Sequence, residues 1–562
     1  MIEVFAGNKY CAPLKVAKKY DVVVVGSGPA GCIAAVSARR NGASVLLVER
    51  EGSLGGMMTG GSINGIGING YRAETVSEIG RPIVVDGISM ELFRRLQAAE
   101  GAPQGDPMVR HPIDTQIMVH VLDEMMEEAN VDVLFHTSAF DALVEDGKVK
   151  GVAIVNKSGA QLILAGVVID ASADGDIAAA AGAPFEYGRP QDGRHHGGSL
   201  DLRIGGVNIE RFIEYLENQP ILTEEERAEL EADRSRLLGA GREPNTAISL
   251  EEGKPVVREF NVVPTDWEQV KKDISEGKQP RIHLTSTGGG PFPGRAPIKD
   301  GKYVPLPAGL DKEWIEYIKE GKVPPLMGAA AHVYPPPRFY SVGVFKHGKV
   351  RFDQLQSGVY ECWFDQTSGE EISKALMFMR KVNKAYFSFL KERIPGFEDA
   401  YIHQEATMVG TRESRRIVGE YTIHEEDLLT GKEFDDVIAK GGPRSPDAHS
   451  VTGRWGDGVT STNKHVWNIP YRALVPKNVD NLLVAGRCIS ATTLALGALR
   501  DQATCMTMGE AAGAAAALSA KLGVTPRELD VKLLQKALLK QKVILFLENE
   551  KEKEKAILHY QP

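Results

Sequence analysis

The sequence lacks several features that would assign it to common functional classes. Its five cysteines (Cys11, Cys32, Cys362, Cys488 and Cys505) form no C-x-x-C pair. That spacing excludes a disulfide framework, a zinc ribbon, an iron–sulfur cluster carried on this chain and a dithiol redox centre. No apolar run reaches the length of about 18 residues that a membrane span needs, so we expect no membrane span.

The chain also has no surplus of positive charge. Lys and Arg total 66 against 75 for Asp and Glu, a formal net charge of -9. Because phosphate binding depends on clustered Lys and Arg, we expect no nucleic-acid partner. Residues 1–20 contain polar side chains and no apolar segment typical of a secretory signal, so a cytoplasmic location is expected. The length of 562 residues predicts two or three domains.

Glycine, in contrast, is abundant and clusters where predicted strands end. The first cluster is Gly26-Ser27-Gly28-Pro29-Ala30-Gly31. It follows a strand at 21–25 and precedes an Ala-rich helix at 32–40 and a second strand at 44–48. The three elements form one β-α-β unit of about 30 residues, which is typical of a dinucleotide-binding fold.

Each residue type in this unit has a physical role in dinucleotide binding. Gly26 permits the tight turn, Gly28 lets the backbone approach a pyrophosphate, and Gly31 brings the helix against the strand. Glu49, at the tip of the second strand, accepts from a ribose hydroxyl and would repel a 2′-phosphate, which disfavours NADP. The doublet Gly55-Gly56 and the strand-then-glycine segments 171–176 and 483–487 favour an extended FAD over NAD.

The remaining pattern predicts an α/β fold with an interruption. We expect helices at 114–129, 504–520 and 533–547, strands at 166–170 and 481–485, and a hairpin over 140–155 that turns at Asp146-Gly147. Between about 189 and 399 the β-α-β rhythm stops, which indicates an inserted α+β substrate domain. The predicted division is a FAD-binding domain in two parts (1–188 and 400–525), the insert (189–399) and a C-terminal helical extension (526–562).

Several motifs resemble those of a known family. They are DVVVVGSGPAG (21–31), LGGMMTGG (54–61), VIDASADGD (168–176), PGFEDA (395–400), GTRESRRIVGEY (410–421), IPYRALVPKNVDNLLVAGRCISA (469–491) and TCMTMGEAAGAAAAL (504–518). Together they resemble the FAD-dependent oxidoreductases of the glutathione-reductase-like superfamily, in its fumarate-reductase-like branch. The resemblance implies a Rossmann-like FAD-binding domain of the glutathione-reductase type. The insert is only loosely similar, so we expect it to select the substrate.

The resemblance also implies which residues contact FAD. The ADP half would lie on the glycine turn and Glu49, and the flavin route on the loop after the second strand. The implied set is Gly26, Ser27, Gly28, Pro29, Ala30, Gly31, Glu49, Arg50, Gly55, Gly56, Met57, Phe140 (backbone to the adenine), Ala173 and Asp174 (beside the pyrophosphate), Gly486 (at the ribitol), Arg487, and Thr504, Cys505 and Met506 (a helix N-terminus at the pyrimidine edge of the ring).

Two positions depart from the family pattern. Arg487 stands where superfamily relatives often have an acidic residue. Thr493 stands where closely related members have a His. If that His is the proton donor in the relatives, this chain uses another group.

Three candidates lie on the substrate side, each with two readings. Arg412, in a predicted alternating strand with Arg415 and Arg416, is either an anion clamp for a carboxylate or half of an ion pair with Glu413, Glu420 or Glu405. His196, next to His195, is an acid/base or part of a surface loop. Tyr471 is a proton donor or a core tyrosine with a bonded hydroxyl.

We therefore expect a hydride transfer between flavin N5 and a small organic substrate. Without a second β-α-β fingerprint or a dithiol, activity as a pyridine nucleotide–disulfide reductase is not expected. The electron donor or acceptor is then O2, a diffusible molecule or a separate protein, and a homo-oligomer is left open. Two alternatives remain, a flavin monooxygenase and a FAD-containing electron-transfer subunit. No metal is expected.

Overall fold

The fold is known from a computed structural model and is a mixed α/β architecture around one seven-stranded sheet. The structure describes residues 14–63, 65–66, 84–102, 111–190, 193, 195–218, 223, 225–226, 229, 247–251, 254–258, 272, 298–299, 302–303, 311–323, 355–362, 364–442, 466–547 and 550–561.

The strands in these ranges are numbered in chain order. They are β1 (Lys15–Val25), β2 (Val45–Val48), β3 (Gly65–Ile66), β4 (His111–Pro112), β5 (Asp132–Leu134), β6 (Ser138–Glu145), β7 (Lys148–Asn156), β8 (Gly159–Asp170), β9 (Phe185–Tyr187), β10 (Gly198–Gly205), β11 (Ala247–Glu251), β12 (Lys254–Arg258), β13 (Ile298–Lys299), β14 (Lys302–Tyr303), β15 (Leu355–Cys362), β16 (Tyr401–Glu405), β17 (Arg415–Ile417), β18 (Val437–Gly441), β19 (Trp467–Pro470) and β20 (Leu482–Val484).

The helices are numbered in the same way. They are α1 (Pro29–Arg40), α2 (Ile88–Ala98), α3 (Thr115–Ala129), α4 (Asp176–Ala180), α5 (Ile209–Glu217), α6 (Asp311–Lys319), α7 (Gly369–Arg393), α8 (Glu425–Thr430), α9 (Thr493–Leu499), α10 (Gln502–Leu522), α11 (Val531–Lys540) and α12 (Lys551–His559). Short 3-10 turns lie at Gly56–Met58 and Tyr471–Leu474. Among the residues described, no helix combines the length and the apolar content that crossing a bilayer requires.

The main sheet contains the predicted β-α-β unit. Its order is β5-β2-β1-β8-β7-β6, with β20 paired to β8. Strands β5, β2, β1, β8 and β20 run parallel, and the β6–β7 hairpin joins β8 antiparallel. The four consecutive valines at the end of β1 (residues 22–25) are buried, as expected for a parallel strand covered on both faces. Because β1, β8 and β20 are parallel, their carboxyl ends meet at one edge of the sheet, after Val25, Asp170 and Val484.

Helix α10 packs against α1 at very short range. A Cβ on Gly509 would lie 2.0 Å from the Ala30 O, and one on Gly513 would lie 2.2 Å from the Ala34 O. Only glycine permits this approach. The C-terminal part of the chain is therefore fixed against the first β-α-β unit, and both belong to the largest apolar core.

The insert forms its own antiparallel sheet, in the order β15-β10-β16. Helix α7 packs on this sheet, and Trp314 of α6 meets Tyr386 of α7 edge to face with 5.4 Å between ring centroids. Strand β16 lies just beyond residue 399 and completes the sheet of the insert. The four-part domain division itself stays a prediction.

Most predicted elements are confirmed, with shifted ends. The hairpin turns at Asp146 and Gly147, whose positive φ values of 50° and 73° suit a two-residue loop. Helix α10 begins at Gln502, two residues before the predicted start. The last predicted helix ends early, at Lys540, and Lys542 adopts φ 69°. The predicted alternating strand through Arg412 is wrong, because only Arg415–Ile417 pairs as a strand, with β9.

Candidate active site

The turn between β1 and α1 contains two glycines that close packing requires. Gly26 has φ +90°, and a Cβ there would lie 2.6 Å from the Ala171 O. A Cβ on Gly31 would lie 1.8 Å from the Gly26 O. Any larger residue would displace the backbone at these positions, so both glycines hold the turn against the end of β8.

Gly28 has a different reason to be glycine. Its φ of -64° suits any residue, and a Cβ there would meet no described atom within 4 Å. No described side chain caps α1 at this position, and Pro29, which has no N–H, is the first helical residue. The amides of the first turn therefore face open space beside Gly28, an arrangement that suits a phosphate group.

Glu49 is buried beside this turn and is held on both carboxylate oxygens. Its Oε2 accepts from the Ser27 N at 2.7 Å and from the Ser27 Oγ at 2.5 Å. Its Oε1 accepts from the Glu51 N at 2.8 Å. An ionised carboxylate offers about four acceptor positions, so this geometry leaves one for a ribose hydroxyl.

The loop after β2 forms the wall opposite Gly28. The Gly55 N donates to the Ser27 O at 2.9 Å, and a Cβ on Gly56 would lie 3.0 Å from the Gly28 Cα. Met57 follows in the 3-10 turn and packs against Gly61. Arg50 extends into solvent near Glu51, with 3.6 Å between Nε and Oε1.

Phe140 lies in β6 and is 44% exposed. Three residues before it, the Thr137 N donates to the Glu49 O at 2.9 Å, and the His136 N donates to the Glu51 O at 3.2 Å. The segment that leads into Phe140 therefore lies beside Glu49. This position suits the predicted adenine contact, because the adenine is attached to the ribose that Glu49 is predicted to bind.

A polar cluster joins the ends of β8 and β20. Arg487 Nη2 lies 2.6 Å from Asp174 Oδ1, which also accepts from the Ser414 Oγ at 2.7 Å. Burial opposes ionisation of Asp174, but the charge of Arg487 and the Ser414 hydroxyl outweigh it and hold its pKa below the ordinary value. Ala173 has φ 70°, a left-handed conformation that is strained for alanine.

The predicted contacts near the flavin ring lie close to this cluster. Gly486 has φ +93°, and a Cβ there would lie 3.2 Å from the Ala30 Cβ. Thr504, Cys505 and Met506 are buried in the first turns of α10. The Cys505 N already donates to the Asp501 O at 2.8 Å within the helix. The amides of α10 that have no acceptor inside the helix are therefore those that precede Cys505. Met506 lies one residue further inside.

The structure brings His196 and Arg412 together. Arg412 Nη1 donates to the Gly197 O at 2.7 Å, and the His196 N donates to Glu413 Oε2 at 3.0 Å. His196 is fully buried, so the prediction of a surface loop is wrong for this residue. Its neighbour His195 stacks on Tyr187, with 4.9 Å between ring centroids.

The arginines of 412–416 have different partners. Arg415 donates to the Asp174 O at 3.1 Å and to Asp176 Oδ1 at 2.8 Å. Arg416 is buried and pairs with Glu413. The other carboxylates considered for Arg412 also have arginine partners, since Glu420 pairs with Arg527 and Glu405 lies 3.6 Å from Arg380.

Tyr471 lies in the apolar core. Its hydroxyl donates to the Pro526 O at 2.8 Å, and burial raises its pKa above the ordinary value. This geometry favours the second of the two predicted readings, a core tyrosine with a bonded hydroxyl.

Sequence comparison identifies the family to which these features belong. The family described as FAD dependent oxidoreductase matches residues 21–538. The chain belongs to this family.

The curated relatives resemble only part of the chain. Digeranylgeranylglycerophospholipid reductase of Methanospirillum hungatei is 33% identical over 168 residues, which is 28% of this chain and 39% of that protein. The tRNA uridine 5-carboxymethylaminomethyl modification enzyme MnmG of Desulfotalea psychrophila is 31% identical over 144 residues, 25% of this chain and 22% of that protein. This FAD dependent oxidoreductase spans about two fifths of the length of the first of these relatives.

One solved structure aligns over nearly the whole chain. A geranylgeranyl bacteriochlorophyll reductase-like protein from Thermoplasma acidophilum covers 97% of this chain and 92% of its own, at 11% identity and a TM-score of 0.37. That TM-score is too low for details of its structure to be carried over.

The residues present in this FAD dependent oxidoreductase fit its cofactor. Gly28 leaves a space beside an uncapped helix N-terminus, and Glu49 holds an acceptor beside it. Gly486 and the ends of β8 and β20 lie along the same edge of the sheet. A pyrophosphate at Gly28 and a ribose at Glu49 are therefore compatible with the geometry, and the cofactor is FAD.

The sequence alone suggests Glu413 only as a partner for Arg412, and Thr493 only as a departure from the family pattern. In the structure both contact His196. Ser414 likewise joins Asp174 to Arg487. The sequence signal that could have found Glu413 is its place among three arginines in 412–416. A charged side chain that becomes buried needs a partner of opposite charge, so such a cluster indicates a buried ion pair.

Proposed function

We propose that this FAD dependent oxidoreductase transfers a hydride between flavin N5 and a carbon of a small organic substrate that carries a carboxylate. Bound FAD supplies the site that accepts or donates the hydride. The protein would supply a binding group for the carboxylate, Arg412, and a proton-exchanging group, His196. The proposal on the substrate rests on this chain's own residues, because the reductase relatives align over less than half of their length.

One observation carries the proposal, the pairing of 196–199 with 410–413. The Ser199 N donates to the Gly410 O at 3.1 Å, and the Gly410 N donates to the Ser199 O at 2.8 Å. This bridge sets the entry to the insert beside the segment that contains Arg412. A cation and an imidazole at one junction are the two groups that binding an acid and moving its proton require.

The same segment reaches the predicted flavin route. The Thr407 N donates to the Gly60 O at 3.0 Å, and Met408 packs against Gly60. Gly60 follows the 3-10 turn that contains Gly56 and Met57. Residues 407–413 therefore run from the loop after β2 to His196, which supports a substrate position between the two.

Each side chain would have one role. The planar guanidinium of Arg412 can form two parallel hydrogen bonds to a carboxylate, which would orient the substrate. His196 would take up the proton that the substrate loses when hydride leaves its carbon, and would return it in the reverse direction. Burial of His196 keeps that proton from exchanging with bulk water.

An anaerobic titration tests the function. Small carboxylic acids are added to the oxidised holoenzyme, and unsaturated carboxylic acids to the dithionite-reduced holoenzyme, without NAD(P)H. The methyl ester of each acid is the matched control. We expect one class of acid, and not its ester, to change the flavin absorbance. A requirement for NAD(P)H and O2 with oxygen incorporation would instead identify a monooxygenase. No response to any acid, with rapid electron exchange with an iron–sulfur protein, would identify an electron-transfer subunit.

A further inference from the structure

The carboxylate of Glu413 is the centre of a buried cluster from three parts of the chain. Glu413 is fully buried. Its Oε1 accepts from the Arg416 guanidinium and from the Thr493 Oγ1, the latter at 3.1 Å. Its Oε2 accepts from the His196 N at 3.0 Å. The insert, β17 and the start of α9 are thus joined on one side chain.

This cluster determines how the His196 ring is oriented. His196 Nε2 lies 3.1 Å from the Thr493 O and 3.6 Å from Glu413 Oε2. A backbone carbonyl and a carboxylate can only accept hydrogen bonds, so the nitrogen that faces both must carry a proton. In the neutral ring Nδ1 is then the nitrogen that can accept a proton.

We propose that Glu413 is a positioning residue that fixes His196 in the tautomer protonated on Nε2, which makes Nδ1 the atom that exchanges a proton with the substrate. The inference rests on the proposed function, in which His196 is the acid/base. Glu413 acts by holding both the His196 backbone and Thr493, so that the carbonyl of Thr493 meets Nε2. In the oxidation direction Nδ1 gains the proton as the substrate loses hydride and proton together, and the reverse step returns it.

The charge balance of the cluster is compatible with this role. Arg416 is buried, and besides Glu413 it donates to the Ala491 O at 2.8 Å and to Glu186 Oε2 at 3.1 Å. Arg412, the residue before Glu413, donates to the Gly197 O. The Nδ1 of His195 lies 3.0 Å from the His196 O. Glu413 and Glu186 thus provide two carboxylates to the one guanidinium of Arg416, which compensates its buried charge.

The discriminating variant is Glu413→Gln. A carboxylate accepts at both ends, whereas an amide accepts only at its oxygen. In Glu413→Gln the NH2 group must face either the His196 N or the Arg416 and Thr493 donors, so one set of hydrogen bonds is lost. We expect the His196 ring to lose its fixed orientation while Arg416 keeps Glu186 as a partner.

The tautomer is measured on FAD-loaded protein labelled with 15N-histidine, with the His196→Gln variant assigning the signal. We expect Nε2–H alone in the wild type and a mixture of tautomers in Glu413→Gln. Glu186→Gln is the matched control, because it removes the other carboxylate of Arg416, and it should leave the signal unchanged. Thr493→Val, which removes only the hydroxyl bond to Glu413, should give a smaller change and serves if Glu413→Gln does not fold.

Flavin reduction by the active acid is the second readout. We expect Glu413→Gln to lower the rate constant roughly tenfold or more and to change its pH profile, with Glu186→Gln near wild type. A proton on Nδ1 in the wild type, or a signal that Glu413→Gln leaves unchanged, would overturn the positioning role. If the wild type shows Nε2–H but His196→Gln reduces its flavin at the normal rate, the proposed function of His196 is overturned instead.

Discussion

Arg487 and Asp174 form a partly buried ion pair, 2.6 Å from Nη2 to Oδ1, between segments that lie 313 residues apart in sequence. Asp174 follows β8 and Arg487 follows β20, so the pair links the two strands at the sheet edge that also contains the glycine turn after β1. Ser414 bridges the same two side chains. Arg487 therefore connects the ends of β8 and β20, at the position where the resemblance leads one to expect an acidic residue.

Removal of Arg487 should leave the mostly buried carboxylate of Asp174 without its cation. We expect Arg487→Ala to lower the free energy of unfolding by roughly 3 kcal/mol at neutral pH. Since the pKa of Asp174 lies below its ordinary value of 3.8 in the folded protein, the wild-type contribution is complete above that value and is lost as the pH falls through the depressed pKa. Thermal midpoints of both proteins should differ clearly at neutral pH and converge in acid. Equal midpoints at neutral pH would show that the pair adds no stability.

The open space at Gly28 allows a test of cofactor binding that should spare the fold. In Gly28→Val the Cβ would meet no described atom within 4 Å, and the side chain would occupy the position predicted for the pyrophosphate. We expect a folded, colourless protein. Gly369→Val is the matched control, because a Cβ at Gly369 also meets no described atom within 4 Å and the residue lies on α7, in the insert. Full flavin absorbance in purified Gly28→Val would disprove the cofactor position.

Glu510 should make stability depend on pH. It is fully buried in α10, its Oε2 accepts from the Ile88 N at 3.0 Å, and burial raises its pKa from 4.5 to about 8. The folded protein therefore keeps a proton that the unfolded chain releases, and stability falls as the pH rises from 4.5 toward 8. The expected slope is roughly 1.4 kcal/mol for each pH unit.

Glu510→Gln cannot ionise and should remove this slope. The two proteins should have similar thermal midpoints at about pH 4.5, and the variant should be the more stable one at about pH 8. Parallel pH profiles for the two proteins would show that Glu510 does not titrate in this range.

Arg412 should act on the substrate rather than on the fold. Arg412→Lys keeps the charge but loses the bidentate geometry. Loss of one charge-assisted hydrogen bond, worth roughly 1.5–3 kcal/mol, should slow substrate-dependent flavin reduction by about ten- to a hundredfold. FAD content and thermal midpoint should stay near wild type. In the control Arg415→Lys, whose guanidinium binds Asp174 and Asp176, we expect the thermal midpoint to fall instead. A large drop in the midpoint of Arg412→Lys with normal flavin reduction would make Arg412 part of the scaffold.

The sequence predicted the parts of the fold that depend on local pattern. Four valines before a glycine turn gave β1, and Gly26 and Gly31 gave the β-α-β unit, because only glycine tolerates the contacts found there. The residues around His196 could not be predicted in the same way. Glu413 and Thr493 are 80 positions apart, and His196 lies 217 positions before Glu413. Their meeting depends on how the insert returns to the sheet, which no local pattern encodes. The strand predicted through Arg412 was wrong for a related reason. A strand needs a partner strand to pair with, and only Arg415–Ile417 has one.

The most direct test of the central claim is the isotope effect on flavin reduction. A substrate identified by the anaerobic titration is prepared with deuterium on the reacting carbon, and reduction of the holoenzyme flavin is followed by stopped-flow absorbance without NAD(P)H. We expect a primary deuterium isotope effect on the rate constant of flavin reduction, with the deuterium transferred to the flavin. Reduction at equal rates with both substrates, or only after NAD(P)H is added, would contradict direct hydride transfer between the substrate and the flavin.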